Sequence, residues 1–468
     1  SDEIWYWHQA QSFAEVGLAS GYYTVKEIPA PLALSPFNAW GMVIPMFYGT
    51  FAALLGWGLN SMVTLNLALL TAALALLIRV LRPNIEQLLW LILLFAVYSP
   101  LWLYAFTSML TVMQLGIGTA FAVGFVVVLR QREATPRYVV VALGIGIALA
   151  SLERLTWAIL FLPLVLLTAQ HLTLRRFAIG VAITGAAGLL ATLQFSLTGA
   201  PYPNVFGEVV AAVSDDVPRA VALLTDNLNT NIDLLDEGDR FEVVYRQHLA
   251  AFTLGLLLLA LWVWWRRRKN AGGQLNAIGL ILYLWGVLWL VNIVIYDVKL
   301  SRDYRLMAPV ILFGLILMVA YRWRLLLALT AVALITALPV TWDVYRIWSE
   351  WHVNAEGRNA YYAWGAEVAK VIAYEPDAPN RWCNTLLHSH LYMWTQTSIV
   401  MSMPAGIGLS TTFEQADMPP PYQSRWLMLT DDEVSQWEGQ LDVTPLMDVP
   451  FGKLYHNNDS ACPPEASL

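Results

Sequence analysis

Two adjacent carboxylates, Asp2 and Glu3, stand directly before an aromatic run, Ile4-Trp5-Tyr6-Trp7, with His8 and Gln9 beyond it. A carboxylate beside indole rings in a partly dry cleft has its pKa raised by desolvation, which suits it to general-base work. On a helix, neighbouring side chains point about 100° apart, so only one of the pair can face a given cavity. The alternative is a polar terminus ahead of an interfacial aromatic anchor, since Trp and Tyr are enriched where membrane meets water. His8 then reads as an interfacial side chain.

A second group lies far along the chain. Tyr296-Asp297-Val298-Lys299-Leu300-Ser301-Arg302-Asp303-Tyr304-Arg305 carries Lys299, Arg302 and Arg305 within seven positions. Arg matches phosphate oxygens with two parallel hydrogen bonds, so these three could clamp an anionic headgroup. A solvated turn whose cations pair with Asp297 and Asp303 is the competing explanation. Glu153 and Arg154, flanked by apolar sequence, either pair with neighbouring helices or contribute to a site, because charges near membrane depth face a cavity or one another. His388-Ser389-His390 places two imidazoles on one face of a possible strand. No third ligand follows at metal-binding spacing, so no metal site is expected.

The elements that must position these residues are mostly membrane helices. The chain is 58% hydrophobic and 13% charged, where a soluble globule carries about 25% charge. Its mean hydropathy is +0.54. Apolar blocks near 54–78, 86–106, 109–129, 137–152, 155–170, 176–198, 251–265, 275–296, 305–320 and 325–341 approach the length of a bilayer-crossing helix. The fold class expected is an α-helical polytopic membrane protein with a small C-terminal extracytoplasmic α/β domain.

Basic residues set the orientation, because Lys and Arg collect in short cytoplasmic loops. Arg79 with Arg82, then Arg130, Arg132 and Arg137, then Arg175 with Arg176, then Arg266 to Lys269, then Arg322 with Arg324 mark every second connection. The segments 1–53, 99–108, 151–156, 199–250, 297–304 and the tail from 342 then fall outside, as do both termini of this numbering. With residue 1 already outside, a signal anchor or cleaved signal is expected upstream. A formal charge of −7, concentrated in the outer segments, implies no nucleic-acid partner.

The expected division is a multi-spanning domain over 1–341, with external loops 1–53 and 199–250, and an extracytoplasmic α/β domain over 342–468. In the first loop, Ile4 to Val16 suits a helix, and Tyr22-Tyr23-Thr24 and Trp40-Gly41 suit the membrane surface. Pro218 to Leu235 spaces Val221, Leu224, Leu228 and Ile232 as one face of an amphipathic helix. In the tail, Asn354 to Ala373 reads as a helix, and Trp382–Leu387, Arg425–Leu429 and Gly452–His456 read as strands. Thr430-Asp431-Asp432-Glu433 resembles a helix N-cap with an acidic first turn. Cys383 and Cys462, the only cysteines, could bridge in an oxidising compartment.

Asp2-Glu3-Ile4-Trp5-Tyr6-Trp7 resembles the Asp-Glu motif in the first external loop of the GT-C membrane glycosyltransferases. The likeness is nearest to the branch of protein O-mannosyltransferases and lipid A aminoarabinose transferases. Leu152-Glu153-Arg154-Leu155-Thr156 is similar to an Arg-x-Thr turn midway through many members. Arg302-Asp303-Tyr304-Arg305-Leu306-Met307-Ala308-Pro309 resembles their late Arg-Tyr-x-x-Pro segment, with Arg and Tyr not adjacent in that order here. The ending, from Trp426-Leu427-Met428-Leu429 to Phe451-Gly452-Lys453-Leu454-Tyr455, is similar to the small outer domain of bacterial members.

The resemblance implies transfer of a monosaccharide from a polyprenyl-phosphate donor to an acceptor hydroxyl on a glycan, lipid or protein, outside a bacterial inner or plasma membrane. Asp2 would be the base and Glu3 its support. Lys299, Arg302 and Arg305 would hold the donor phosphate, and Glu153 and Arg154 would be possible contributors. No cofactor is implied beyond the donor, and no phosphate-cradling Gly-rich loop is present. The rival expectation is a non-catalytic GT-C-like subunit or lipid-binding scaffold of a larger complex. A transporter fits less well, because the spans carry few polar residues and no paired broken helices.

Overall fold

The computed structural model describes residues 2–32, 41–107, 110–131, 134–169, 173–200, 208–209, 212–213, 216–233, 240–267, 273–290, 304–353, 365–389, 400, 402–412, 418–449 and 452–462. Four helices among them are long and apolar enough to cross a membrane: Ser61–Leu81, Thr111–Gln131, Leu174–Thr198 and Arg324–Asp343. Shorter apolar helices stand among them, so the chain has the make-up of a helical membrane protein with a small sheet. It forms two compact units, one of residues 63–189 and 203–348, the other of 1–62, 190–202 and 349–468.

In the helical unit each expected apolar block falls on helix among the described residues, with breaks the hydropathy did not mark. In chain order the helices beyond the first two are α3 (Ser61–Leu81), α4 (Ile85–Val97), α5 (Ser99–Tyr104), α6 (Thr111–Gln131), α7 (Arg137–Glu153), α8 (Phe161–Leu167) and α9 (Leu174–Thr198). After them come α10 (Val217–Asp233), α11 (Arg240–Arg267), α12 (Gly273–Leu290), α13 (Tyr304–Ala320) and α14 (Arg324–Val353). The block 86–106 splits because Pro100 lacks the N–H needed to continue α4 and instead suits the first turn of α5. The block 155–170 opens as a 3₁₀ stretch, Leu155–Leu160, before α8.

Helices α6 and α13 form the centre of this unit, and buried side chains line both. They run side by side in the same direction. A Cβ on Gly118 would sit 2.6 Å from the Pro309 carbonyl oxygen, so only glycine admits that approach. Helix α4 runs the opposite way. Its Asn84 and Gln87 form a reciprocal cap, and Gln87 Nε2 donates to the Val319 carbonyl at 3.0 Å. At its other end the Tyr98 hydroxyl donates to the Ala308 carbonyl at 2.5 Å.

These contacts sort the unit into two ends. Arg324 forks onto Glu86 at 2.6 and 2.7 Å, and Arg130 lies near Tyr321, so one end gathers basic residues. The opposite end holds Tyr98, Gln114, Glu153, Trp157 and the start of α13. Between the ends, apolar residues such as Val141, Ile145 and Leu149 on α7 and Phe177, Ile179 and Val181 on α9 are exposed. Rows of exposed aliphatic side chains suit contact with lipid tails.

The second unit is built on a six-stranded sheet in the order β1-β3-β2-β4-β6-β5. The strands are β1 (Thr24–Val25), β2 (Thr385–His388), β3 (Gly408–Thr411), β4 (Trp426–Thr430), β5 (Val443–Val449) and β6 (Gly452–Asn457). The first four positions in that order are parallel and the last two pairings antiparallel. Strands β2, β3 and β4 are buried throughout, as parallel strands covered on both faces require. Pro445 is tolerated because β5 is an edge. The expected cap is present: Thr430 and Glu433 bond each other's backbone N–H at the start of α15 (Asp431–Gln436). Cys383 and Cys462 are joined in a disulfide, their Cα atoms 5.4 Å apart.

The compact units differ from the expected division at 341/342. Residues 1–62 belong with the tail because β1 adds to the sheet at β3. Gly21 and Gly408 let the backbones meet: a Cβ on Gly21 would lie 1.9 Å from the Asn384 carbonyl oxygen. Gly21 N–H donates to the Gly406 carbonyl at 2.8 Å. Thr24 in β1 and Tyr23 just before it are therefore buried, where a place on the membrane surface was expected. The span expected at 54–78 is also preceded by a separate helix, α2 (Val43–Leu55), ended by Gly56 at φ +80°. Of the tail helix expected at 354–373, residues 365–371 are helical and 354–364 lie outside the described residues. Trp40 lies outside them too.

Candidate functional site

Asp2 and Glu3 open α1 (Asp2–Val16), which starts two residues before the Ile4–Val16 expected, and their side chains lie outside the described set. The rest of the helix is firmly held. Trp7 Nε1 donates to the Gly58 carbonyl at 3.0 Å, and Trp57 Nε1 returns a bond to the Trp7 carbonyl at 3.1 Å. Phe13 packs where a Cβ on Gly49 would stand, 2.5 Å from its ring, which seats α1 closely on α2. Trp5 meets the rings of Tyr23 and His388 edge-on. Tyr6 and Trp7 are core residues, so the aromatic run packs α1 and does not lie open at a surface.

His8 is fully buried, and the expectation of an interfacial side chain is corrected. Its Nδ1 is 2.7 Å from the Tyr23 hydroxyl, which is 2.8 Å from Ser12 Oγ, and its Nε2 is 3.3 Å from the Met403 carbonyl. Gly406 N–H donates to Ser12 Oγ at 3.0 Å. Loss of water lowers the His8 pKa to about 4, against the opposing pull of the Met403 and Pro404 carbonyls. The same loss raises that of Tyr23. His8 is thus a neutral imidazole that fixes the rotation of α1.

Glu27, which sequence reasoning passed over, is a buried acid near the start of the chain. It stands at φ +52°, and its two oxygens accept from the backbone N–H groups of Gln423 and Ser424 at 2.6 and 2.8 Å. Desolvation raises its pKa, against the lowering effect of these bonds. Nearby, Arg425 is buried and forks onto Glu375 at 2.5 and 2.9 Å, a bond that lowers the Glu375 pKa. These two pairs hold loops against the sheet.

The other predicted residues belong to the helical unit. Lys299, Arg302, Asp297 and Asp303 lie outside the described residues, and of Arg305 only the backbone is described, in the first turn of α13. Glu153 is the last residue of α7, and Arg154 is the extended residue that ends it. Glu153 Oε2 accepts from Gln114 Nε2 on α6. The Gln114 carbonyl in turn accepts from Trp157 Nε1 at 2.6 Å. Gln114 is one turn before Gly118 and Arg305 one turn before Pro309, so the Gly118–Pro309 contact brings both to the same end. That is the end away from the basic residues.

Asp2 and Glu3 thus belong to one unit, and Glu153, Arg154 and Arg305 to the other. Gln114 carried one visible signal, an amide in an otherwise apolar run. His390 lies outside the described residues, and His388 is buried with Nδ1 3.0 Å from the Ser389 carbonyl. No metal-binding group of His, Cys, Asp or Glu occurs among the described residues.

No protein-family model matches the chain, and no curated protein or solved structure matches it.

Proposed function

We propose that this chain is an integral membrane glycosyltransferase that moves a monosaccharide from a polyprenyl-phosphate donor to an acceptor hydroxyl on the extracytoplasmic side. The observation that carries the reading is the acidic pair at the head of α1, a helix pinned by Trp7, His8 and Ser12. A base held on a rigid element keeps its geometry through the reaction.

In the proposed step the Asp2 carboxylate removes the acceptor hydroxyl's proton as that oxygen attacks the anomeric carbon. The carbon–oxygen bond to the donor phosphate breaks on the opposite face, so the configuration inverts. Lys299, Arg302 and Arg305 stabilise the charge that grows on the departing polyprenyl phosphate. Glu3 orients Asp2.

The test is turnover by the full chain in lipid nanodiscs supplied with polyprenyl-phosphate monosaccharides and candidate acceptors. Release of polyprenyl phosphate that requires an acceptor supports the reading. An Arg302→Ala/Arg305→Ala double variant should bind donor more weakly, each lost bond to a charged group costing on the order of 1.5–3 kcal/mol. Donor binding without turnover across the donor panel would favour the non-catalytic subunit.

A further inference from the structure

We infer that Glu153, oriented by Gln114 and Trp157, is a binding site for the hydroxyl groups of a sugar headgroup on a membrane amphiphile. Naming that sugar as the donor's rests on the transferase reading above.

The hydrogen-bond directions leave no freedom. An indole N–H can only donate, so the 2.6 Å contact from Trp157 Nε1 fixes the Gln114 carbonyl as acceptor. The Gln114 amide NH₂ must then point the other way, at Glu153 Oε2. Gln114 and Trp157 are both buried, and Phe121 packs edge-on against Trp157 with ring centres 5.2 Å apart. Two buried residues are thus committed to aiming one carboxylate.

That carboxylate is only partly satisfied. An ionised carboxylate offers about four acceptor positions, and among the described residues Glu153 receives one hydrogen bond, on Oε2. It is half-buried, so a ligand can reach it. Arg154 lies beside it with the opposite charge, and neutral hydroxyls can donate to the acceptor positions that remain. The surroundings are apolar helices with exposed aliphatic faces, so the hydroxyls should arrive on a molecule with a lipid tail.

The experiment compares full chain in nanodiscs binding polyprenyl-phosphate glucose, mannose and galactose with sugar-free polyprenyl phosphate, by native mass spectrometry. At least one sugar-bearing lipid should bind ten-fold or more tighter than the sugar-free lipid. Glu153→Leu should abolish that ratio and leave sugar-free binding unchanged, and Glu153→Gln, which keeps the shape, should cut it several-fold. A second measurement needs no variant: modification of Glu153 by dicyclohexylcarbodiimide, read by peptide mass spectrometry, should be blocked by the preferred sugar lipid and not by polyprenyl phosphate. Equal binding of all four lipids, or a preference that survives both substitutions, overturns the proposal. Transfer that depends on Asp2 while the preference ignores Glu153 sinks this inference alone. A Glu153-dependent preference without any transfer sinks only the enzymatic reading.

Discussion

The Nδ1 atom of His8 lies 2.7 Å from the hydroxyl of Tyr23, with both residues buried. With Nε2–H donating to the Met403 carbonyl, the single Tyr23 hydroxyl proton is shared between His8 Nδ1 at 2.7 Å and the Ile407 carbonyl at 3.2 Å, Ser12 donates to Tyr23, and Gly406 N–H donates to Ser12. This network ties the helix that bears Asp2 and Glu3 to strand β1 and to the residues before β3.

Removing the hydroxyl with Tyr23→Phe strands a ring nitrogen and a serine in a dry site, and should destabilise the sheet unit by about 1–3 kcal/mol. The pH dependence carries a definite sign. The His8 pKa falls from 6.5 to about 4 in the folded protein, so the unfolded chain binds more protons between those values. Stability from this group is complete above pH 6.5 and is lost as the pH falls to about 4, by roughly 3 kcal/mol at 1.36 kcal/mol per unit. Thermal denaturation of native protein and His8→Gln at pH 7 and pH 4.5 reads it: the difference between them should shrink in acid. A constant difference would assign His8 no titration in that window.

Gly21→Ala should be far more damaging than its size suggests. The new methyl would meet the Asn384 carbonyl oxygen at 1.9 Å and Gly408 N at 2.6 Å, both backbone atoms that cannot swing aside. We expect a loss of about 3 kcal/mol or more, at or beyond the upper range for overpacking. Gly439→Ala is the control: it has φ +79° with nothing within 4 Å, so only backbone strain of roughly 1–2 kcal/mol applies. Comparable melting shifts for the two would contradict the close approach of β1 to the sheet.

Glu27 tests what its charge does. Glu27→Gln removes a charge that burial disfavours, but its one carbonyl can accept from only one of the Gln423 and Ser424 N–H groups and its NH₂ faces the other. Glu27→Ala leaves both N–H groups unbonded and should cost about 1–3 kcal/mol. Because the folded pKa is raised, stability from the protonated acid is present at low pH and lost as the pH rises through that pKa. Chemical denaturation at neutral pH should therefore rank Glu27→Gln, which keeps one of the two bonds, above Glu27→Ala, which keeps neither.

Asp2→Asn preserves size but cannot accept a proton at neutral pH. General-base catalysis contributes about 10²- to 10⁴-fold, so turnover should fall at least about a hundred-fold while donor binding and melting temperature hold. Glu3→Gln should cost less if Glu3 only orients its neighbour. The acidic limb of the native pH–rate profile should vanish in Asp2→Asn. Turnover at the native rate in that variant would remove Asp2 as the base.

Local pattern was enough for some of this architecture. Apolar runs placed helix at every expected block because each run satisfies its own backbone hydrogen bonds. Thr430 and Glu433, three residues apart, announced their cap for the same reason. Cys383 and Cys462 were the only available pair, although their 5.4 Å separation comes from the fold. Long-range pairing was invisible. Strand β1 is two residues long and owes its existence to Ser410 and Thr411, so no local propensity could mark it, and the division at 341/342 missed it. The aromatic run after Glu3 looked the same as an interfacial anchor or as core. Gly58, Trp57, Tyr23 and His388, brought in from elsewhere in the chain, made it core. Glu153 was legible as a charge in apolar sequence. Its orientation was not, because it depends on Gln114 and Trp157, and the Gln114 side chain reaches Glu153 only when α6 and α7 pack as antiparallel neighbours.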